Sequence, residues 1–182
     1  MSVLVLVGSL RAGSLNARLA QAAIAHLPEG VDAQVWAGLA DLPHYSEDLD
    51  GATPPEQAGR LRTAVAQAQA VLIVTPEYNG SLPSAVKNAV DWLSRPRGAA
   101  ALAGKRAAVL AASISPRAAQ WAREDAVKVL RVAGADVVPE TLGMASTSEN
   151  DFDGTRLADA QADAALAALV QGLLAPDAEV AA

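Results

Sequence analysis

Apolar and polar positions follow a repeating order along the chain: a short apolar run, a polar loop, then a segment with helical periodicity. The apolar runs are rich in valine, leucine and alanine, a composition that is typical of buried strands. They predict five strands, at residues 3–7, 32–36, 71–75, 106–112 and 137–138. The segments between them predict helices at residues 17–27, 55–69, 118–133 and 155–175, in addition to one that follows the third strand.

Residues 71–95 contain the third predicted strand, a polar turn and a helix without interruption. Pro76 ends the strand because proline has no backbone N–H for the ladder, and residues 77–80 predict a tight turn. Ser81 or Ser84 is expected to cap the helix that follows. That helix has an apolar stripe at helical spacing, formed by Val86, Ala89, Val90 and Leu93.

Strands that alternate with helices predict an α/β fold with a parallel sheet. For five strands we predict the flavodoxin-like, doubly wound order 2-1-3-4-5, with helices on both faces of the sheet. No internal repeat is visible in the sequence. We therefore expect residues 1–176 to form a single domain and residues 177–182 to form a disordered tail.

The composition excludes several classes of function. A net charge of −6 makes the backbone of a nucleic acid an unfavourable partner. The absence of cysteine excludes disulfides, thiol redox chemistry and cysteine-ligated metals, so a redox reaction would depend on a cofactor. No apolar run has membrane-spanning length, and the run at residues 3–7 ends too soon for a signal peptide. We therefore predict a cytoplasmic protein without a membrane partner.

A loop that contains glycine and serine, residues 8–16, leads from the first predicted strand to the first predicted helix. Backbone N–H groups and the positive end of a helix can bind an anion at such a junction. The loop is neither a Walker A sequence nor G-x-G-x-x-G, and a loop of this kind could equally be a turn and a helix cap. The side chains that could assist an anion are Ser9, Arg11, Ser14 and Asn16.

Two motifs, in this order, resemble those of the NADPH-dependent FMN reductase family. The sequence G-S-x-R-x-x-S-x-N, residues 8–16, is similar to the FMN-phosphate loop of that family. The sequence P-E-Y-N-G-S-x-P-x-x-x-K-N-A-x-D-W, residues 76–92, is similar to its second flavin loop. The resemblance implies FMN as cofactor and NADPH or NADH as electron donor. The cofactor-binding residues that we predict are Ser9, Arg11, Ser14, Leu15, Asn16, Pro76, Glu77, Tyr78, Asn79, Gly80 and Ser113.

The predicted fold brings three loops to one place. In the order 2-1-3-4-5, the loops after strands 1, 3 and 4 meet at the carboxyl edge of the sheet. The first loop can hold a phosphate, and the second offers backbone groups and the flat face of Tyr78 to a planar heterocycle. FMN has both parts. The three loops are residues 9–16, 76–81 and 113–117.

The resemblance implies a reductase of quinones, chromate or azo dyes, with free flavin as a further acceptor. Hydride would pass from nicotinamide C4 to flavin N5 and electrons then to the acceptor, with ping-pong kinetics. Because the flavin carries this chemistry, we predict no catalytic acid, base or nucleophile. We also predict no metal site, since His26 and His44 are too few and too scattered. Two alternatives stay open: a flavodoxin-type electron carrier, and an interaction module that has lost its flavin.

Residues 113–120 depart from the family pattern. The loop after strand 4 is glycine-rich in that family, whereas this segment contains no glycine. Arg117 could attract an anionic acceptor or a nicotinamide phosphate, or it could be a solvated loop arginine. The departure leaves the preference between NADPH and NADH open.

Two further features have alternative interpretations. The polar segment 38–55 could be a lid at the active-site mouth, a subunit contact or a surface loop, and His44 and Tyr45 could face substrate. Trp92 could belong to the core of its own chain, whereas the resemblance suggests that its helix packs on a partner subunit. The resemblance therefore implies a homodimer or homotetramer.

Overall fold

The computed structural model describes residues 1–175, so the tail predicted at residues 177–182 lies outside the described residues. Five parallel strands form one sheet in the order β2-β1-β3-β4-β5, which confirms the predicted order. The strands are β1 (Ser2–Val7), β2 (Asp32–Val35), β3 (Ala70–Val74), β4 (Arg106–Ala112) and β5 (Asp136–Met144). The helices are α1 (Leu15–Ile24), α2 (Glu56–Gln67), α3 (Ser84–Leu93), α4 (Gln120–Val132) and α5 (Ala160–Leu174).

Side chains of the central strands divide between two apolar cores, one on each face of the sheet. On β1, Leu4 and Leu6 pack in one core, and Val3 and Val5 pack in the other. Successive strand residues point to opposite faces, which produces this division. Helices α2, α3 and α4 cover the first face and α1 and α5 the second, which confirms the prediction of helices on both faces. Strand β3 is buried along its whole length.

The predicted serine caps of α3 are wrong. Pro83 is the N-cap residue and makes no side-chain cap hydrogen bond, and Ser84 is already the first residue of the helix. The Ser81 hydroxyl instead donates to Asp125 Oδ2 in α4 at 2.7 Å. The proline ring fixes φ at the helix start, so the chain enters the helix there without a side-chain acceptor.

Strand β5 is longer than the two residues predicted, since it spans nine residues. Its middle carries Pro139, Glu140 and Thr141, whose polar character hides the strand in the sequence. The pairing of β5 with β4 shifts register between Ala107 and Val109. Proline and charged residues are tolerated on a strand at the sheet edge, especially beside a bulge.

Helix α5 begins at Ala160, five residues later than predicted. An antiparallel two-stranded ribbon precedes it, formed by β6 (Phe152–Asp153) and β7 (Arg156–Leu157). The side chain of Asp159 then caps the helix by accepting a hydrogen bond from the N–H of Ala162 at 2.7 Å. Strands of two residues are too short to show a hydrophobic alternation, so the sequence pattern does not predict them.

Candidate functional site

The carboxyl ends of β1, β3 and β4 lie side by side, because these strands are neighbours in the sheet. The N–H of Gly8, directly after β1, donates to the carbonyl of Val74 at the end of β3 at 2.8 Å. Asn16 in α1 contacts Ala112, the last residue of β4. The structure therefore brings the three predicted loops together at one edge of the sheet.

Gly8 lies where a side chain has no room. A Cβ atom there would lie 2.6 Å from Val86 Cγ2 and 3.3 Å from Pro76 Cδ. The first loop therefore begins in direct contact with the second loop and with α3. Ser9 follows, half-buried, and Leu15 is the first residue of α1.

The first loop carries free backbone donors. Within residues 1–175, the N–H groups of residues 9–13 donate no hydrogen bond. They lead to the N-terminus of α1, which Ser14 caps by accepting a hydrogen bond from the N–H of Asn16 at 3.2 Å. Arg11 is exposed in the same loop. Free N–H groups, the positive end of a helix and a cation are the components of an anion site.

Asn16 contributes to this site in a way that the sequence does not show. Its Nδ2 donates to the carbonyl of Ala112 and its Oδ1 accepts from the N–H of Ala112, both at 2.9 Å. The side chain is buried. The amide therefore joins α1 to the end of β4 through the same pair of hydrogen bonds that a neighbouring strand would make. It holds the first loop beside the third.

The second loop contains the tight turn that the sequence predicts. Tyr78 and Ser81 exchange backbone hydrogen bonds at 3.0 and 3.2 Å, and the residues between them, Asn79 and Gly80, have φ values of +53° and +75°. Two positive φ values at the centre match a type I′ turn, for which Asn-Gly is a preferred sequence. Pro76 is buried, whereas the Tyr78 side chain is 51% exposed, so its ring is open to a ligand.

Glu77 joins the second loop to α4. Its Oε2 accepts a hydrogen bond from the N–H of Ala122, in the first turn of α4, at 3.2 Å. Ala119, the N-cap residue, has no side-chain acceptor, and the first turn contains no acidic residue. A carboxylate at this end of a helix is favourable because it accepts from a free N–H and opposes the helix dipole. Glu77 therefore acts as the cap that α4 itself lacks.

The third loop uses its backbone donors within the protein. The N–H of Ser113 donates to the carbonyl of Met144 at 3.0 Å, and the Ser113 hydroxyl oxygen accepts from the N–H of Ser115 at 3.1 Å. The N–H of Arg117 donates to Ser115 Oγ at 3.2 Å. Unlike the first loop, this loop offers a ligand chiefly side chains.

Two consecutive alanines end the third loop in the left-handed region of backbone conformation. Ala118 and Ala119 both have φ of +52°, so α4 begins at Gln120, two residues later than predicted. The carbonyl of Ala118 accepts from Arg123 Nε at 3.0 Å. Gly143 leaves space for that contact, since a Cβ atom there would lie 2.6 Å from the Ala118 oxygen. The loop thus keeps a conformation that glycine favours although it contains no glycine.

Trp121 is a residue of this edge that the sequence analysis missed. Its side chain is 46% exposed, and a Cβ atom on Gly80 would lie 3.2 Å from its Cε3. The guanidinium carbon of Arg117 lies 4.5 Å from the ring centroid. Leu10 and Ile114 are exposed in the first and third loops. Exposed apolar side chains around an anion site suit a ligand with a planar ring, and the signal in the sequence was a tryptophan directly after the third loop.

The segment 38–55 is fixed against α3. The N–H of Tyr45 donates to Asn88 Oδ1 at 2.8 Å, and Trp92 Nε1 donates to the carbonyl of Pro43 at 2.7 Å. The rings of Tyr45 and Trp92 meet edge to face, with centroids 5.0 Å apart. Asn88 and Trp92 both belong to the K-N-A-x-D-W part of the second motif. This part of the motif therefore holds the segment in place.

These contacts fix the positions of Trp92 and Tyr45. Trp92 is 0% exposed and packs in the core of its own chain, so it does not present its ring to a partner. The Tyr45 hydroxyl accepts a hydrogen bond from Arg95 Nε at 3.2 Å, and the residue is half-buried. His44 is exposed.

His26 contacts Asp163 and Arg156 through its two ring nitrogens. Its Nε2 lies 2.9 Å from Asp163 Oδ1 in α5, and its Nδ1 lies 3.0 Å from Arg156 Nη1. Across residues 1–175, no three His, Cys, Asp or Glu side chains are grouped so as to hold a metal ion. Over the same range, no helix combines the length and the apolar composition that crossing a membrane requires.

A parallel sheet in this order, with a donor-rich loop after its first strand and an open aromatic turn after its third, defines a flavodoxin-like protein. A family model described as NADPH-dependent FMN reductase matches residues 1–149. The chain belongs to this family of oxidoreductases, and the resemblance seen in the two motifs is confirmed.

Individual relatives agree with the family. An NAD(P)H-dependent FMN reductase from Pseudomonas aeruginosa is 35% identical over 163 residues, 89% of this chain and 87% of that protein. A quinone reductase from Pseudomonas putida is 44% identical over 117 residues, 64% of this chain, and the match spans only 61% of that relative. Among solved structures, FerB from Paracoccus denitrificans, a flavoenzyme NAD(P)H:(acceptor) oxidoreductase, has a TM-score of 0.85 at 32% identity, covering 94% of both chains.

Proposed function

We propose that this protein is an FMN-dependent NAD(P)H oxidoreductase with a quinone-like acceptor. The observation that carries the proposal is the run of free N–H groups at residues 9–13, which leads into the N-terminus of α1 beside Arg11. This donor set fits a phosphate monoester, and the exposed ring of Tyr78 fits a planar heterocycle. Bound FMN would accept hydride from NADPH or NADH at N5 and deliver two electrons to the acceptor.

The residues of the first loop would hold the phosphate. Arg11 would supply a charge-assisted hydrogen bond, and Ser14 and Asn16 would position the loop through the cap of α1 and the bridge to Ala112. The phosphate residues in this proposal are Ser9, Arg11, Ser14, Leu15 and Asn16. The ring system would be bordered by Pro76, Glu77, Tyr78, Asn79, Gly80 and Ser113.

The protein would bind and orient both substrates and would need no acid, base or nucleophile of its own. The apolar side chains at the edge, Leu10, Tyr78, Ile114 and Trp121, would exclude water from the reacting face. Because donor and acceptor would use that face in turn, we expect ping-pong kinetics. Initial rates over a grid of NADPH and quinone concentrations test this point: the reciprocal plots should be parallel, and intersecting lines would contradict it.

A quinone is the acceptor that we favour. Two similar proteins are named a quinone reductase, from Pseudomonas putida, and a 2-hydroxy-1,4-benzoquinone reductase, from a Burkholderia species. The exposed apolar side chains at the edge support a planar acceptor of this kind. Chromate, azo dyes and free flavin belong in the same proposal as slower acceptors. A panel of acceptors under one set of conditions ranks them, and chromate faster than every quinone would overturn the preference.

We also propose a homodimer or homotetramer. The support is the family resemblance, together with an open groove of about 630 Å³ between α3 and α4 whose apolar lining includes Val90, Val129 and Val132. Val132 is 85% exposed in the single chain. Sedimentation velocity measures the state directly, and a single species of 18.5 kDa would contradict the proposal. Cytoplasmic localisation stays a prediction.

A further inference from the structure

Within the described part of the chain, two arginines at the carboxyl edge have no acidic partner. Among residues 1–175, no carboxylate lies within ion-pair distance of Arg11 or Arg117, whereas cations elsewhere, such as Arg62 and Lys87, form ion pairs with Asp50 and Asp91. The chain carries a net charge of −6, so its overall field repels anions. Unpaired cations at a ligand site are therefore the groups that would make the site attractive to anions.

The two arginines lie on opposite sides of the second loop. Arg11 belongs to the loop after β1 and Arg117 to the loop after β4, and β3 lies between these strands. In the proposed function, the FMN phosphate would take Arg11 and the flavin ring would lie along the second loop. Arg117 would then be left over on the far side of the ring. The guanidinium of Arg117 would therefore be available to bind a second anion.

The guanidinium of Arg117 lies over an aromatic ring. Its guanidinium carbon lies 4.5 Å from the ring centroid of Trp121, and Trp121 in turn packs on Gly80 of the second loop. The backbone is fixed as well, since the N–H of Arg117 donates to Ser115 Oγ and its carbonyl accepts from the N–H of Gln120. A guanidinium over an aromatic face can still donate N–H groups to an anion.

We propose that Arg117, stacked on Trp121, recognises an anionic group on the electron acceptor, so that the enzyme prefers planar quinones that carry an ionised substituent. This inference rests on the proposed function. In the reaction, NAD(P)H loses one hydride and solvent supplies one proton. The quinone leaves as the hydroquinone, with its anionic substituent unchanged.

The surroundings of Arg117 favour an anion on a ring over the 2′-phosphate of NADPH. Ile114 is 82% exposed in the same loop, and Trp121 and Tyr78 add exposed aromatic surface beside it. Covering this apolar surface with a planar ring is favourable, because the ring removes it from water. A hydrated phosphate would not provide this free energy, because it keeps its own water. The test must therefore distinguish an anionic quinone from the 2′-phosphate of NADPH as the ligand of Arg117.

The test compares charged and neutral quinones with the same ring system. We would measure kcat/KM for 1,4-naphthoquinone-2-sulfonate and for 2-methyl-1,4-naphthoquinone, with the FMN-loaded wild type, Arg117→Gln and the control Arg131→Gln. Arg131 is also exposed and unpaired among the described residues, but it lies in the last turn of α4. Arg117→Gln should lower kcat/KM about tenfold for the sulfonate and by less than about twofold for the neutral quinone, since a charge-assisted contact is lost.

Two results would overturn the inference. One is an equal loss for both quinones in Arg117→Gln. The other is a raised KM for NADPH, with NADH and the discrimination between quinones unchanged, which would assign Arg117 to the nicotinamide phosphate. The rate with the sulfonate should also fall with ionic strength in the wild type and not in Arg117→Gln, because salt screens an exposed charge.

A binding measurement separates this inference from the proposed function. The sulfonated quinone would be titrated into the FMN-loaded protein without nicotinamide, and binding would be followed by quenching of tryptophan fluorescence. Absence of turnover with every quinone would remove the proposed function but would leave this titration intact. Arg117→Gln should then bind about tenfold more weakly than Arg131→Gln. Equal dissociation constants in the two variants would overturn the role of Arg117.

Discussion

Asn16 lies at the start of α1, but its amide group contacts the end of β4. Both of its hydrogen bonds go to the backbone of Ala112, which is buried and lies in the last position of the strand. A polar side chain that satisfies two buried backbone groups is difficult to replace, because its loss leaves both groups without a partner. The residue therefore contributes to stability as well as to the shape of the first loop.

Replacing Asn16 should destabilise the protein even without cofactor. Asn16→Ala removes the partners of the Ala112 N–H and carbonyl, and we expect a loss of about 2–4 kcal/mol in the free energy of unfolding. Urea denaturation of the flavin-free protein measures it. Asn150→Ala, on an exposed turn, is the control and should change stability by less than about 0.5 kcal/mol. A loss in Asn16→Ala no larger than in this control would refute the role.

Arg11 should act on the cofactor and not on stability. It is exposed and has no acidic partner among the described residues, so Arg11→Ala should leave urea unfolding of the flavin-free protein unchanged. FMN binding should weaken by about 1–3 kcal/mol, because a charge-assisted contact to phosphate is lost. Titration of the flavin-free protein with FMN, with Arg131→Ala as control, gives this number. Unchanged affinity would remove Arg11 from the site.

Sequence reasoning predicted the local turn at the carboxyl edge better than the contacts between the loops. Gly80 and Asn79 were expected in a tight turn and adopt it, because Asn-Gly at that place has a strong local preference. The contact of Asn16 with Ala112 joins residues 96 positions apart in the chain, and a local sequence pattern does not predict contacts over such a separation. The cap that Glu77 provides to α4 is of the same kind.

At the scale of elements, α4 depends on its neighbours for its start. The N-cap residue Ala119 provides no acceptor, and the helix is preceded by two alanines in the left-handed region. Glu77 supplies the cap, and Ser81 holds the second turn through Asp125. These contacts place Trp121 and Arg117 at the edge of the site. The backbone of the third loop is therefore held in an unfavourable conformation by contacts from the second loop.

A glycine at position 118 should stabilise the protein. Ala118 has φ of +52°, a conformation that costs an L-residue about 1–2 kcal/mol and costs glycine little. Ala118→Gly should therefore raise the free energy of unfolding by about 1 kcal/mol. The matched control Ala164→Gly, at an exposed position inside α5, should lower it by about 1 kcal/mol. A loss of stability in both variants would show that position 118 is not strained.

The elements that sequence reasoning predicted correctly are those with a strong local pattern. Strand β3 is an unbroken apolar run, and its burial on both faces follows from that run. Strand β5 was predicted too short because Pro139 and Glu140 interrupt the pattern at the sheet edge, where solvent access tolerates them. The ribbon at residues 152–157 depends on packing against α1 and α5, which a local window does not contain.

At the scale of the whole molecule, one cluster connects three parts of the chain. Asp163 in α5 contacts His26 after α1, and it accepts hydrogen bonds from Arg156 and from the N–H of Leu157 in the ribbon. Partial burial of the Asp163 carboxylate favours its neutral form, but the hydrogen bonds from His26, Leu157 and Arg156 outweigh burial. The pKa of Asp163 is therefore below its ordinary value of 3.8.

This cluster predicts a loss of stability in acid. The pKa of Asp163 is lower in the folded state than in the unfolded state, so its ionised form stabilises the fold above about pH 3.8. The contribution disappears as the pH falls through the folded-state value. The wild type should be more stable than Asp163→Asn at pH 7, and the difference between them should shrink below pH 3.8. A difference between wild type and Asp163→Asn that is constant from pH 7 to pH 3 would contradict this assignment.

In the proposed function, the three loops at the carboxyl edge form a flavin site that accepts hydride from a nicotinamide. In the direct test, the protein is loaded with FMN and unbound flavin is removed. The visible spectrum is then recorded during anaerobic titration with NADPH. We predict retention of FMN and bleaching straight to the two-electron reduced form, without an accumulating semiquinone. Bound flavin that neither NADPH nor NADH bleaches would favour an electron carrier and contradict the account. Failure to retain any flavin would mean that the protein has the flavodoxin-like fold but no flavin-dependent reductase activity.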